Sequence, residues 1–146
     1  MEFKTEAQKA CYQKVFRWMK QLFGTAFTSA REDAPLISVR IGSASAGAYV
    51  APWGDNDTTI NVRSWVVTGA EQTPELMKYL LTENNDMRFG AFGMDGEGDI
   101  FFDHTIIGST CSRNELKASV VAVINVADEY DDKIIAKWGG QRFMDR

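Results

Sequence analysis

The sequence predicts an α+β fold: an antiparallel sheet of about five strands with helices packed on it, in the order α-β-β-β-α-β-β-α. Three observations carry that expectation. Two apolar runs, residues 87–94 and 99–107, flank the short polar Asp95-Gly96-Glu97-Gly98, a β-hairpin signature with glycines available for positive φ. Residues 36–67 hold stretches that alternate apolar and polar with the period of two that a half-buried strand demands. Elsewhere, apolar residues recur at spacings of three and four between cap signals, which is the pattern of amphipathic helices.

The first helix is expected from about Thr5 to Phe23. Ala7, Ala10, Cys11, Val15, Trp18 and Leu22 form one stripe, and Gly24 stops it. Tyr12, Phe16, Met19 and Phe23 fall on an adjoining face, so this helix carries more apolar surface than one sheet face buries. It reads as a core helix whose aromatic residues wrap the sheet edge, or else as a contact surface. Residues 25–35 form a polar connection with a short extended piece around Phe27.

Ile37, Val39 and Ile41 alternate with Ser38 and Arg40 in the first main strand, and residues 42–47 supply the turn. A second strand, about Ala48 to Trp53, ends at the acidic turn Gly54-Asp55-Asn56-Asp57. The third runs from Thr58 to Val67, with Ile60, Val62 and Val66 facing one way and Thr59, Asn61, Arg63 and Trp65 the other. These three read as an antiparallel meander.

Thr73-Pro74-Glu75 opens the second helix: a threonine cap, a proline at the first helical position and an acid at the positive end of the dipole. Leu76, Met77, Tyr79, Leu80 and Leu81 give its apolar face, and Asn84 and Asn85 are suited to the left-handed conformation that ends it. The hairpin follows. Phe89, Phe92, Ile100, Phe101, Phe102, Ile106 and Ile107 carry more apolar bulk than one face of an edge hairpin needs, which predicts a central position with both faces at least partly covered. Ser112-Arg113-Asn114-Glu115 is a capping box for the last helix. Leu116, Val120, Val123, Ala127, Tyr130, Ile134 and Trp138 make its stripe, Asp128, Glu129, Asp131 and Asp132 read as a solvated acidic face, and Gly139-Gly140 ends it before a loose tail, residues 141–146.

At 146 residues the chain fits one domain, residues 1–146, that can bury roughly two thirds of its unfolded surface without a metal or disulfide. Cys11 and Cys111 read as free thiols of a reducing compartment. With no basic patch and apolar core at the start, and no window as apolar as a membrane span, the expected location is the cytoplasm, away from membranes. The net charge of -4 opposes binding to nucleic acid or anionic lipid.

Several residues resemble the YbjN-like family, whose fold is that of the type III secretion chaperones. The likeness rests on Leu80-Leu81-x-x-Asn84, on Phe89-Gly90-x-Phe92-x-Met94-Asp95-x-x-Gly98-Asp99-Ile100, and on Ile106, Leu116, Ala127-Asp128 and Gly139-Gly140. These positions cover the C-terminal half, and the N-terminal half matches in element order. The resemblance implies a small, acidic, cytoplasmic protein that dimerises and holds an extended segment of a client protein.

The chemistry of the chain points away from catalysis. The segment Asp95-Gly96-Glu97-Gly98-Asp99 resembles the start of a calcium loop, but Ile100 stands where the sharp turn needs glycine and Ile106 where a bidentate glutamate belongs. The glycines at 90, 93, 96 and 98 are followed by no helix and no Lys-Ser/Thr pair, so they make no phosphate loop. His104 is the sole histidine, which removes sites built on several. Cys111 precedes a helix start, where the dipole favours a thiolate, so a nucleophile built on Cys111 and His104 is the enzymatic alternative. No cofactor or metal is expected.

Tyr49, Trp53 and Trp65 are the candidate partner contacts. They are either exposed anchors on a sheet face that helices leave open, or rings packed on the first helix or on one another. Met77 and Leu81 are the candidate dimer contacts. The leading reading is thus a non-enzymatic, dimeric, chaperone-like or regulatory domain that engages a protein client. The alternatives are a small-molecule-binding regulatory domain, recognised by a closed pocket, and a thiol-dependent enzyme.

Overall fold

The computed structural model describes residues 1–143. Helix α1 (Glu6–Phe23) is capped by Thr5, whose side chain accepts from the Gln8 amide. A single 3₁₀ turn, Thr25–Phe27, leads into β1 (Thr28–Ala30), β2 (Leu36–Ile41), β3 (Ala44–Trp53) and β4 (Asp57–Thr68). Then come α2 (Pro74–Asn84), β5 (Ala91–Met94), β6 (Ile100–Ile107), α3 (Arg113–Trp138) and β7 (Gln141–Arg142). The sheet is antiparallel, ordered β1-β2-β3-β4-β6-β5, with β7 paired to β4.

Seven strands thus stand where about five were expected. The two additions are short: β1, three residues, adjoins the extended piece expected around Phe27, and β7, two residues paired with β4, stands where a loose tail was expected, residues 144–146 of that tail lying outside the described residues. The β2–β3 turn is also tighter than residues 42–47. It is confined to Gly42 and Ser43, and Ala44 already pairs with Ile41.

The hairpin lies at one end of the sheet, not at its centre: β5 is an edge strand, and β3 and β4 occupy the middle. Nor are both of its faces covered. Phe92, Ile100, Phe102 and Ile106 are buried, whereas Phe89 and Ile107 are exposed and Phe101 is half-buried on the opposite face. Counting apolar bulk without dividing it between faces overstated the burial, because solvent-facing strand positions also hold large side chains.

One face carries the core. Thr58, Ile60, Val62, Ser64 and Val66 of β4 are all buried, as are Ala46, Ala48 and Val50 of β3 and Ile37 and Val39 of β2. A register shift between Trp65 and Val67 lets the adjacent Val66 and Val67 both bury. Helix α1 covers this face through Cys11, Tyr12, Val15 and Met19, a strip running between the two expected stripes. Gln8, buried with them, donates from Nε2 to the Val50 carbonyl at 3.0 Å. Helix α3 contributes Leu116, Val120, Val123, Ile124, Ala127 and Ile134. Asp131, expected on its solvated face, is buried instead; burial raises its carboxyl above the usual carboxylate range, and Asp131 Oδ1 accepts from the Asp132 amide at 2.6 Å.

Helix α2 closes the β5 edge. Asn84 and Asn85 do not adopt the left-handed conformation; among the described residues, positive φ belongs to glycines alone. Asn84 instead does what a neighbouring strand would do. Its Oδ1 accepts from the Phe92 amide at 2.6 Å, and its Nδ2 donates to the Phe92 carbonyl at 3.2 Å. Replacing it by alanine strips two partners from a partly buried backbone, so Asn84→Ala should cost about 1–3 kcal/mol. A urea midpoint lowered without a change in slope is the expected result; an unmoved midpoint would show that water serves Phe92 equally well.

Candidate functional site

With the helices on one side and at one edge, the other side of the sheet is left to solvent. Its residues are those that alternate away from the core: Leu36 and Ser38 of β2, Ser45, Gly47 and Tyr49 of β3, Asn61, Arg63 and Trp65 of β4, and Phe101 and Asp103 of β6. Cross-strand pairing sets Tyr49 opposite Asn61, Gly47 opposite Arg63, Arg63 opposite Asp103 and Trp65 opposite Phe101. On this face lies a concavity of about 560 Å³ lined by Leu36, Gly47, Tyr49, Asn61, Arg63 and Trp65, among others, with Phe143 at its rim. Gly47 keeps it open, since a Cβ there would lie 2.9 Å from Leu36 Cδ1.

The side wall is rigid. The Arg63 guanidinium donates from Nη2 and Nε to Asp103 Oδ2 at 2.8 and 3.1 Å, and its carbon stands 3.7 Å above the Phe101 ring centre. Asn61 Nδ2 reaches the same carboxylate oxygen at 3.1 Å and Thr105 Oγ1 at 3.0 Å. Ring contact and ion pair together hold the arginine flat, which leaves its charge compensated and its plane available for stacking. Trp65 meets Phe101 edge-on, with centres 5.3 Å apart, and lies almost parallel to Phe143 at 5.2 Å and 23°.

The structure brings two of the three candidate partner residues together. Tyr49, 44% exposed, and Trp65, half-buried, line the concavity. Trp53 is 55% exposed on the same face, but four residues further along β3 from Tyr49, about 13 Å away at strand rise, and lines no part of the concavity. On α2, Leu76 and Leu80 are buried, Met77 is half-buried, and Leu81 is 72% exposed one turn from Met77. Strand alternation already placed Asn61 and Arg63 beside Trp65, whereas Leu36, Gly47 and Asp103 needed the sheet order to be found. Phe143, an isolated aromatic after two glycines, carried no signal of its own.

The structure does not assemble the thiol and imidazole. His104 faces α3, with Nδ1 2.9 Å from Ser119 Oγ and the edge of Phe89 against its ring. Cys111 donates to the Ser112 carbonyl at 3.3 Å. Burial, reinforced by the Glu115 carboxylate and only partly opposed by Lys14, pushes its thiol up to about 11, which overrides the helix dipole. In the hairpin loop the carboxylates of Asp95, Glu97 and Asp99 lie within 4.8 Å of one another. Asp95 Oδ1 accepts from the amides of Glu97 and Asp99, both at 2.9 Å, and so holds the turn, while Asp99 Oδ1 accepts from Thr68 of β4 at 2.6 Å. Among the described residues no helix is long and apolar enough to cross a membrane.

Since a buried thiol reacts only through its thiolate, alkylation of Cys111 at pH 8 should be about a hundredfold slower in the native than in the unfolded protein, and should rise with pH. Peptide-resolved mass spectrometry of iodoacetamide labelling reads this directly. Fast labelling at pH 7 would restore Cys111 as a nucleophile.

Comparison with known proteins adds three findings. A family model described as "T3SS (YopN, CesT) and YbjN peptide-binding chaperone 1" matches residues 11–146. An uncharacterized protein of Aquifex aeolicus (strain VF5) is 32% identical over 94 residues, which span 62% of this chain and 38% of that protein. Among solved structures, the fold is shared with a chain of the ExsC-ExsE complex at a TM-score of 0.66 and 10% identity, over 89% of this chain and 96% of that one. It is shared equally with a chain of the HopA1-SchA chaperone-effector complex, at a TM-score of 0.66 and 8% identity, over 88% and 98% of the two chains.

Proposed function

The chain belongs to the family of type III secretion system and YbjN peptide-binding chaperones, and on that footing we propose that it is a non-enzymatic, cytoplasmic client-binding protein. As a single domain working in a dimer, it holds a stretch of another protein on the open face of its sheet. The observation that carries this reading is the aromatic-lined concavity on that face. Its chemistry is that of a peptide site: rings for apolar side chains, a flat arginine held by a carboxylate, and the amide of Asn61. It lies on the solvent face rather than sealed within the core, which favours an extended segment over a small enclosed ligand. The two solved structures named above are complexes, one described as a chaperone with its effector, and this supports a protein partner for the present chain.

Tyr49 and Trp65 are the contacts within the concavity, with Trp53 extending the same surface. Met77 and Leu81, on successive turns of α2, are the contacts between copies. Leu81 is a large apolar side chain left in water by the single chain, and a second copy would cover it.

Affinity capture from native lysate tests the reading, with light scattering of the same preparations for the dimer. Replacing Tyr49, Trp53 and Trp65 together by alanine should lower client recovery about thirtyfold, the cost of losing an interface anchor, without changing the far-UV spectrum. Leu81→Asp should shift the dimer to monomer. Unchanged recovery from a folded triple variant would remove the client site, and a monomeric unmodified protein would remove the dimer.

A further inference from the structure

Part of the wall of the concavity comes from the segment that follows α3. Helix α3 ends where Gly139 donates its amide to the Ile135 carbonyl at 2.9 Å. Gly139 and Gly140 both take positive φ, 72° and 84°, and the chain doubles back onto β4. A Cβ on Gly140 would lie 2.5 Å from the Thr68 carbonyl oxygen and 2.8 Å from the Ala70 amide, so glycine alone passes this closely. Gln141 then pairs with Thr68 and Arg142 with Val67. The next residue, Phe143, lays its ring on Trp65 at the rim of the concavity.

The docked segment has the chemistry of a bound peptide: extended, antiparallel to β4, with an aromatic side chain stacked in an aromatic subsite. Its ladder is two residues long, and Gln141 and Arg142 are exposed, although the Arg142 charge attracts the Asp131 carboxylate. We propose that residues 141–143 are a built-in competitor for the client groove, and that a client engages by setting an aromatic side chain of an extended segment on Trp65 in place of Phe143. This rests on the client-binding reading above and adds to it the class of side chain the groove selects and a threshold for occupancy. Because the tail is tethered, it competes at high effective concentration, so weak or non-aromatic segments do not displace it.

The probe is a fluorescein-labelled, amidated peptide of residues 139–143, Gly-Gly-Gln-Arg-Phe, with a second peptide ending in alanine as its control. Binding is followed by fluorescence anisotropy on the full chain. Phe143→Ala should bind the phenylalanine peptide about tenfold more tightly than the unmodified protein, should ignore the alanine peptide, and should lose binding when Trp65→Ala is added. Should Phe143→Ala lose its cooperative melt, Phe143→Leu, which keeps apolar cover without ring stacking, should show a smaller gain in the same direction. Equal binding by the unmodified and substituted proteins, or binding by neither, overturns the proposal. The two failures are distinguishable: client capture that needs Tyr49, Trp53 and Trp65 but a Phe143 substitution that changes nothing sinks only the tail, while the expected peptide binding with client capture unaltered by the triple substitution removes the client site and, with it, the tail's role as a competitor.

Discussion

Everything in this molecule depends on a sheet sealed on one face alone. Along β4, Thr58, Ile60, Val62, Ser64 and Val66 are shut away beneath α1 and α3, while Thr59, Asn61, Arg63 and Trp65, the residues between them, stay in partial contact with solvent. The period of two makes this division strict, because a slip of one residue would exchange the two sets wholesale. The sealed set supplies the stability, with each fully buried Ile or Val worth about 1.5–3 kcal/mol. The outward set is therefore free to be chosen for something other than packing.

What occupies that free face is more than the mixture of small polar and charged groups that solubility alone would select. Tyr49, Trp53, Trp65 and Phe101 are carried there together with Leu36, and the arginine among them is fixed by Asp103 and by the ring beneath it. Fixing matters, because a side chain already ordered loses little entropy when a partner arrives. The reactive groups of the chain are engaged elsewhere. Cys111 is buried with its thiol raised, His104 is bonded to Ser119, Asp95 holds the hairpin turn, and Asp99 is bonded to Thr68.

Much of this could be read from the residues, and the failures have physical causes. All three helices and the N-caps at Thr73 and Ser112 were legible, because a side-chain oxygen there precedes a helical apolar period, whereas the cap at Thr5 was found only in the structure. The outward set of β4 was legible from alternation alone. The place of the hairpin was not, since periodicity says which residues share a face but not which strand neighbours which. Asn84 was misread for a similar reason: asparagine near a helix end favours a left-handed cap in isolation, but the exposed edge of β5 offered its amide a better pair of partners. Asp131 sat in an acidic run and looked solvated, yet it lies four residues beyond Ala127 and three before Ile134, on the turn that faces the sheet. Phe143 was invisible because a single ring in a short tail has no period.

Hydroxyl-radical footprinting of the isolated protein tests the one-sided sheet most directly. The account predicts rapid oxidation of Tyr49 and Trp53, slower oxidation of Trp65 under its Phe143 cover, and near-complete protection of the core residues Tyr12 and Met19. Tyr49 and Trp53 protected to the same degree as Met19 would mean that something covers the second face, and the account would fail.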